Sequence, residues 1–171
     1  MTTFVSVGNA RQPFHRLLDG VLAIAASLPQ PVIVQHGHTP FSQKGVTAID
    51  FMDSEEFARR LGGAQLVIIH AGAGSIMHAI EAGKVPVVMP RRADRGEHVN
   101  DHQVELAEAL GIVGKVVVAD EPKDLVAGIA TALARQKERE GAGNGPSQTE
   151  EPRMLNLVRD VLAEYARGAG K

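Results

Sequence analysis

The sequence predicts an α/β protein with a Rossmann-like, doubly wound parallel sheet of about six strands. Short apolar runs alternate with segments of helical periodicity along the 171-residue chain. Four of the runs are continuously apolar, a pattern typical of strands that helices cover on both faces. The loops after Val7, Gln35, Ile69 and Met89 are polar and carry glycines or charges, and the carboxyl ends of parallel strands share one edge. Ligands of such sheets bind at that edge, which indicates a nucleotide-type site.

Composition is that of an ordinary soluble globular domain, and it excludes several kinds of function. The chain is 44% hydrophobic and 22% charged, and its formal net charge of -2 gives no electrostatic footprint for nucleic acid. The absence of cysteine excludes disulfides, thiolate chemistry and cysteine-bound zinc. No run approaches the roughly 20 apolar residues of a membrane span, and the N-terminus lacks a signal-peptide pattern. We therefore expect a cytoplasmic protein.

The elements follow one another at the spacing of strand–helix units. Strands are predicted at 3–7, 31–35, 46–51, 65–69, 85–89 and 113–118. Helices are predicted at 13–24, 53–61, 75–82, 98–110, 122–139 and 152–167. Pro13 opens the first helix because proline suits the first helical turn. Asp53 or Ser54 caps the second, and the two glycines after Leu61 are expected to end it.

The central stretch, His70–Ser75, is a glycine-rich turn between two buried strands. Gly72 and Gly74 are expected to bend the backbone and to let a ligand approach it. The following helix points its unpaired N–H groups and its positive dipole end into the turn, and such sites bind phosphate. A tight turn without a ligand is the alternative for two glycines alone. His70 either has only a structural role or contacts a diphosphate.

The loop after the fifth strand carries Arg91, Arg92 and Arg95. Their guanidinium groups suit phosphate or carboxylate, because the planar fork matches both. The alternative is a solvated loop in which these arginines pair with Asp94 and Glu97. Both interpretations stay open at this point.

The predicted helix over 98–110 begins with polar residues. Asn100, Asp101 and Gln103 in its first turn either cap the helix or bind sugar hydroxyls. His98 and His102 are four residues apart on one helix face, a spacing that can bind zinc. The H-E-x-x-H motif of metalloproteases is absent, which favours a hydrogen-bonding or surface pair. A metal-dependent hydrolase that uses both histidines is kept as an alternative.

The sequence pattern divides the chain into three predicted units. Residues 1–140 form the Rossmann-like domain. Residues 141–151 are turn-forming and polar, which predicts a flexible linker. Residues 152–171 carry a C-terminal amphipathic helix that packs on the domain or on a partner. Its apolar positions are Leu155, Val158, Val161, Leu162 and Tyr165.

Five motifs, in this order and spacing, resemble the C-terminal domain of glycosyltransferase family 28, the nucleotide-sugar-binding half of a GT-B enzyme. They lie at residues 5–8, 35–37, 70–75, 81–86 and 100–103. Free-standing catalytic subunits of two-component UDP-sugar transferases are the most similar members. These are the soluble subunit of the dolichol-pathway N-acetylglucosaminyltransferase and small exopolysaccharide glucuronosyltransferase subunits, which resemble residues 90–103 in particular.

The resemblance implies an inverting, metal-independent hexosyltransferase subunit of exopolysaccharide biosynthesis, without a cofactor. It would transfer a sugar from a UDP-sugar to a lipid-linked saccharide. The donor would be UDP-glucuronate if Arg91 or Arg92 binds the carboxylate of that sugar. A membrane-anchored partner would bind the acceptor, supply the base and recruit the chain to the inner face of the plasma membrane as part of a heteromeric complex. His98 is the fallback base. A non-catalytic nucleotide-sugar-binding subunit is a further alternative.

The resemblance also implies which residues bind the UDP-sugar. They are Gly8, Asn9, His70, Gly72, Ala73, Gly74, Ser75, His78, Arg91, Arg92, Asn100, Asp101 and Gln103. Gly8 and Asn9 would approach the diphosphate, and the helix after the central turn would supply N–H groups. His78 stands where relatives commonly have a ribose-binding glutamate, and Glu81 lies one turn further along.

Overall fold

The computed structural model describes residues 1–141 and, beyond them, residues 156, 159, 160, 163, 164 and 167. The predicted linker over 141–151 therefore lies outside the described residues except for its first position. Most of the predicted C-terminal helix lies outside them as well. No helix in the described part of the chain is both long and apolar enough to cross a membrane.

Six strands and five helices form the described domain. The strands are β1 Thr3–Ser6, β2 Val32–Gln35, β3 Thr47–Ile49, β4 Leu66–His70, β5 Val87–Met89 and β6 Val117–Val118. The helices are α1 His15–Ile24, α2 Ser54–Gly63, α3 Ala73–Glu81, α4 His102–Ile112 and α5 Leu125–Gly141. All strand pairs are parallel, and the order across the sheet is β3-β2-β1-β4-β5-β6. This confirms the predicted doubly wound fold class.

The sheet is covered on both faces. Leu66 and Ile68 of β4 pack with apolar residues of α1 and α5, whereas Val67 and Ile69 pack with α2, α3 and α4. Because both faces are covered, β1, β4 and β5 are buried throughout, and most of their residues are apolar. The helix after β1 and the helix after β4 lie on opposite faces, so the strand order reverses between these two strands. This creates a crevice at the carboxyl edge of the sheet.

Helix α4 begins four residues later than the sequence pattern predicts. The Oδ1 atom of Asp101 accepts a hydrogen bond from the backbone N–H of Ala93 at 2.9 Å, and Oδ1 of Asn100 accepts one from that of His102 at 3.2 Å. Asn and Asp side chains that bind backbone N–H groups in this way favour turns over helix. Asn100 and Asp101 therefore precede the helix. The expectation that His98 and His102 share one helix face was wrong.

Two smaller boundaries also differ. Helix α3 begins at Ala73 rather than Ser75, with Gly72 as its N-cap residue. Helix α2 includes the two glycines that were expected to end it, and the side chain of Asp53 caps it by accepting from the N–H of Glu56 at 2.8 Å. Gly83 follows the end of α3 with a φ of 72°, the left-handed conformation expected of a glycine after a helix.

Candidate functional site

A pocket of about 310 Å³ lies at the carboxyl edge of the sheet, beside the ends of β1 and β4. Its wall is formed by Gly8, Asn9, Gln35, Met52, Asp53, Ser54, Phe57, His70, Gly72, Gly74, Ser75 and His78. Seven of these residues belong to the predicted site. The pocket occupies the crevice where the strand order reverses, the place where ligands bind in open α/β sheets.

The N-terminus of α3 forms one side of the pocket. The first hydrogen bond that closes a turn of this helix runs from the N–H of Ile76 to the carbonyl of Gly72 at 3.0 Å. The N–H groups of Ala73, Gly74 and Ser75 therefore have no partner inside the helix. No side chain in the described part of the chain caps this end. Free amides at the positive end of the helix dipole are suited to an anion such as a diphosphate.

The side chain of His70 lies between two glycines at the floor of the pocket. A Cβ atom placed on Gly72 would lie 2.2 Å from Nε2 of His70, and one placed on Gly8 would lie 2.5 Å from it. Gly72 has ordinary dihedral angles, φ -76° and ψ 133°, that any residue adopts. Gly72 is therefore required by the imidazole beside it and not by a bend, which corrects the sequence-based interpretation. A Cβ on Gly74 would meet no atom within 4 Å.

His70 is neutral at physiological pH. Burial lowers the pKa of its imidazole to about 3, and the positive charge of Arg91 adds to this effect. The backbone of Ser6 opposes the fall through a hydrogen bond. A neutral ring at the floor leaves the charge of a bound anion to be balanced by the amides of α3.

The buried His70 makes the stability of the fold sensitive to acid. Its pKa is depressed in the folded state, so the unfolded chain binds the proton first as the pH falls below about 6.5. This one group is expected to remove about 2 kcal/mol from the free energy of unfolding between pH 7 and pH 5. Denaturant unfolding at both pH values measures the loss. His70→Gln should show a smaller loss than the wild type, and the exposed His15→Gln should match the wild type. An equal loss in His70→Gln would contradict this assignment.

Gln35 forms hydrogen bonds with Ser6, Gly8 and Asp50, three parts of the site that the sequence did not show to be adjacent. Its Oε1 accepts a hydrogen bond from the hydroxyl of Ser6, and its Nε2 donates to the carbonyls of Asp50 at 3.0 Å and Gly8 at 3.3 Å. The Ser6 hydroxyl oxygen in turn accepts from the N–H of Gly8 at 3.1 Å. A polar residue at the end of a buried strand is the signal that could have identified Gln35.

Four further residues of the pocket wall were also missed. Met52, Asp53, Ser54 and Phe57 come from the loop after β3 and the start of α2. The ring centroids of Phe57 and His78 are 5.8 Å apart. The sequence could have predicted these residues, because the carboxyl end of β3 lies on the same edge of the sheet as the other strand ends. Glu81 does not line the pocket, and its carboxylate pairs with Arg159 at 3.1 Å.

The arginine-rich loop lies beside the pocket but does not line it. Arg91 is completely buried, and its guanidinium donates to backbone carbonyls. Arg92 pairs with Asp120 at 3.0 Å and Arg95 with Glu121 at 2.5 Å, not with the acids that the sequence suggested. Oε1 of the buried Gln103 accepts from the N–H of Arg91 at 3.2 Å. Of the predicted site residues, Ala73, Arg91, Arg92, Asn100, Asp101 and Gln103 are outside the pocket wall.

His98 lies in the turn before α4 and is half-buried. Its Nδ1 accepts a weak hydrogen bond from the N–H of Asn100 at 3.4 Å. Within the described residues, no group of three or more His, Asp or Glu side chains is arranged to hold a metal ion. Because His98 and His102 do not share a helix face, the hydrolase alternative loses the geometry on which it was based.

The fold and the pocket define the chain as a Rossmann-like domain of the kind that forms one half of a GT-B fold, with the N-terminus of α3 at the wall of its pocket. The glycosyltransferase family 28 C-terminal domain matches residues 4–156, and the chain belongs to this family. A solved structure, the glycotransferase of kitacinnamycin, has a similar fold, with a TM-score of 0.60 at 21% identity. The similarity covers 98% of this chain and 41% of that one.

Two curated relatives are similar in sequence. The UDP-N-acetylglucosamine transferase subunit ALG13 of Yarrowia lipolytica is 36% identical over 123 residues, 64% of this chain and 60% of that protein. The UDP-N-acetylglucosamine--N-acetylmuramyl-(pentapeptide) pyrophosphoryl-undecaprenol N-acetylglucosamine transferase of Stutzerimonas stutzeri is 27% identical over 169 residues, 92% of this chain and 46% of that protein. The chain thus spans about half the length of the curated relatives that it matches.

Proposed function

We propose that the chain is the donor-binding part of an inverting glycosyltransferase and that its pocket binds a UDP-sugar. The observation that carries the proposal is the set of free amides at the start of α3, which face a pocket at the reversal of the strand order. Membership in glycosyltransferase family 28 supports the reaction class.

The pocket offers different chemistry at its two ends. The diphosphate lies against the N–H groups of α3 and beside the loop that carries Gly8 and Asn9. The nucleoside lies against the more apolar surface of Met52 and Phe57, with His78 beside it. When the sugar leaves, the negative charge that develops on UDP is stabilised by amides that are already oriented. The chain's contribution is therefore to bind the donor and to stabilise the leaving group.

UDP-N-acetylglucosamine is the donor that we propose. Both curated relatives carry N-acetylglucosamine transfer in their names, and neither name includes glucuronate or an exopolysaccharide. The expectation of UDP-glucuronate depended on an arginine that binds its carboxylate. Arg91 is buried and both of its Nη atoms donate to backbone carbonyls, and Arg92 pairs with Asp120, so neither supports that choice.

Binding of UDP tests the proposal first. A ligand that binds only the folded state raises the free energy of unfolding by about 3 kcal/mol at one hundred times its Kd. UDP and UDP-N-acetylglucosamine are expected to raise the Tm of the 171-residue chain in a thermal-shift assay. UDP-glucuronate should stabilise it less, and GDP-mannose should have no effect. Equal stabilisation by all four nucleotides, or by none, would contradict the proposal.

The acceptor and the catalytic base are proposed to come from a membrane-associated partner that recruits the chain and binds a lipid-linked saccharide. The name of the Yarrowia lipolytica relative describes a subunit, which supports this arrangement. The isolated chain is expected to bind UDP-N-acetylglucosamine without transferring the sugar, and addition of the partner should permit transfer that EDTA does not inhibit. Full transferase activity of the isolated chain would contradict the divided enzyme.

A further inference from the structure

Arg91 is the largest fully buried side chain in the described part of the chain, with an exposed fraction of 0%. Its Nη1 donates to the carbonyls of Gln12 at 2.7 Å and Glu97 at 2.9 Å, and its Nη2 donates to the carbonyl of Val7 at 2.7 Å. The planar guanidinium can reach several acceptors at once, which a lysine ammonium on a flexible stem does not reproduce. A buried cation with this set of partners holds backbone segments together.

Two of these carbonyls mark the ends of one loop. Residues 7–12 connect β1 to the region before α1, and this loop carries Gly8 and Asn9 of the pocket wall. Arg91 binds the first residue of the loop, Val7, and the last, Gln12. One side chain that does not line the pocket therefore fixes both ends of a loop that does.

An ion pair extends this attachment to α1. The guanidinium carbon of Arg91 lies 4.7 Å from the ring centroid of Phe14, and that of Arg16 lies 5.4 Å from it. Arg16 pairs with Glu97 at 2.7 Å, and both side chains are nearly buried. Burial lowers the pKa of Arg91 to about 10 and Glu97 opposes the fall, so the guanidinium is charged at neutral pH.

We propose that Arg91 is a positioning residue that holds the loop over residues 7–12 in its ligand-binding shape before the ligand arrives. The inference depends on the proposed function, since it takes the diphosphate of the UDP-sugar as the group that this loop faces. A loop that is already ordered loses less conformational entropy on binding, so its order increases affinity.

The variant Arg91→Lys tests this role, because it keeps the charge and removes the fork. Its Kd for UDP should rise about tenfold or more, while its Kd for uridine, which lacks the diphosphate, should change less than about threefold. Isothermal titration calorimetry measures both constants. Arg95→Lys is the matched control, since Arg95 pairs with Glu121 on the surface, and both of its constants should equal those of the wild type.

Tryptic cleavage after Arg11 reports on the loop itself. Arg11 is exposed and lies within the loop, so release of one end should expose the bond that follows it. Cleavage there should be about tenfold faster in Arg91→Lys than in the wild type and unchanged in Arg95→Lys. An unchanged cleavage rate in Arg91→Lys, or an equal loss of affinity for UDP and uridine, would overturn the inference.

Hydrogen exchange of the wild-type chain gives a test that does not depend on a variant's folding. The hydrogen-bonded amides of Val7 and Gly8, at the start of the loop, should exchange slowly in the free protein and change less than about threefold when UDP saturates it. A loop that becomes protected only with UDP would overturn the inference while leaving the proposed function intact. If the wild type does not bind UDP, the proposed function fails, and the cleavage rates of the wild type and Arg91→Lys still report whether Arg91 holds the loop.

Discussion

Replacement of Gly72 by alanine is expected to lower the free energy of unfolding by about 1–3 kcal/mol, the usual cost of overpacking a well-filled interior. The new methyl group would lie 2.2 Å from Nε2 of His70, and the ring has Gly8 on its other side. The ring must therefore move toward the pocket, whose floor it forms, and UDP affinity should fall with stability. Denaturant unfolding and calorimetric titration of UDP measure the two effects.

A double-mutant cycle isolates the cause of this loss. In a His70→Ala background the ring is absent, and Gly72→Ala should then cost only about 0.5–1 kcal/mol, the usual disadvantage of alanine against glycine at an N-cap position. Gly63→Ala at the end of α2 is the matched control, since a Cβ atom there meets nothing within 4 Å. If Gly72→Ala costs the same with and without His70, the close contact is not the reason for the glycine.

Gly74→Leu is expected to separate binding from stability. Gly74 lies in the first turn of α3 and lines the pocket, and a Cβ atom there would meet no neighbour within 4 Å. Leucine has a better helix propensity than glycine, so the free energy of unfolding should stay constant or rise by up to about 0.5 kcal/mol. The leucine side chain enters the space proposed for the diphosphate, and the Kd for UDP should rise at least about a hundredfold.

The control for this substitution is Gly63→Leu, which changes the same residue type in a helix outside the pocket. Its UDP affinity should equal that of the wild type. If Gly74→Leu binds UDP as tightly as the wild type, the diphosphate does not lie at the start of α3. If Gly74→Leu unfolds, the description of open space beside Gly74 is wrong.

The sheet and the position of its pocket could be predicted because they depend on local patterns. The apolar run that ends at His70 and the helix that follows it are visible in the sequence as a change of periodicity. The parallel arrangement then places every strand end on one edge. Seven pocket residues were identified from these patterns together with the family resemblance. The loop after β3 was missed, although the same rule applies to it.

The roles of Arg91 and His70 could not be predicted, because their partners are far away in the sequence and are mostly backbone atoms. The carbonyls that bind Arg91 include that of Val7, 84 residues earlier. Backbone carbonyls leave no trace in a sequence, so an arginine beside a ligand edge looks like a phosphate ligand. The ring of His70 likewise explains Gly72, and adds to the positive φ of 74° that already requires a glycine at position 8, only once the strands β1 and β4 are adjacent.

The start of α4 shows a third limit. The segment before it contains residues that fit both a helix and a turn, and the choice depends on the N–H of Ala93, which Asp101 binds. This contact between residues eight positions apart favours the turn over the helix. It moves His98 off the helix and removes the basis for a zinc pair.

A nuclear magnetic resonance titration of the ¹⁵N-labelled chain with UDP, with uridine as the comparison ligand, shows whether the diphosphate binds at the start of α3. We expect the amide signals of Ala73, Gly74 and Ser75 to shift strongly with UDP and weakly with uridine, because only UDP places a diphosphate against these amides. Signals of these three amides that stay in place while UDP binds elsewhere would contradict it.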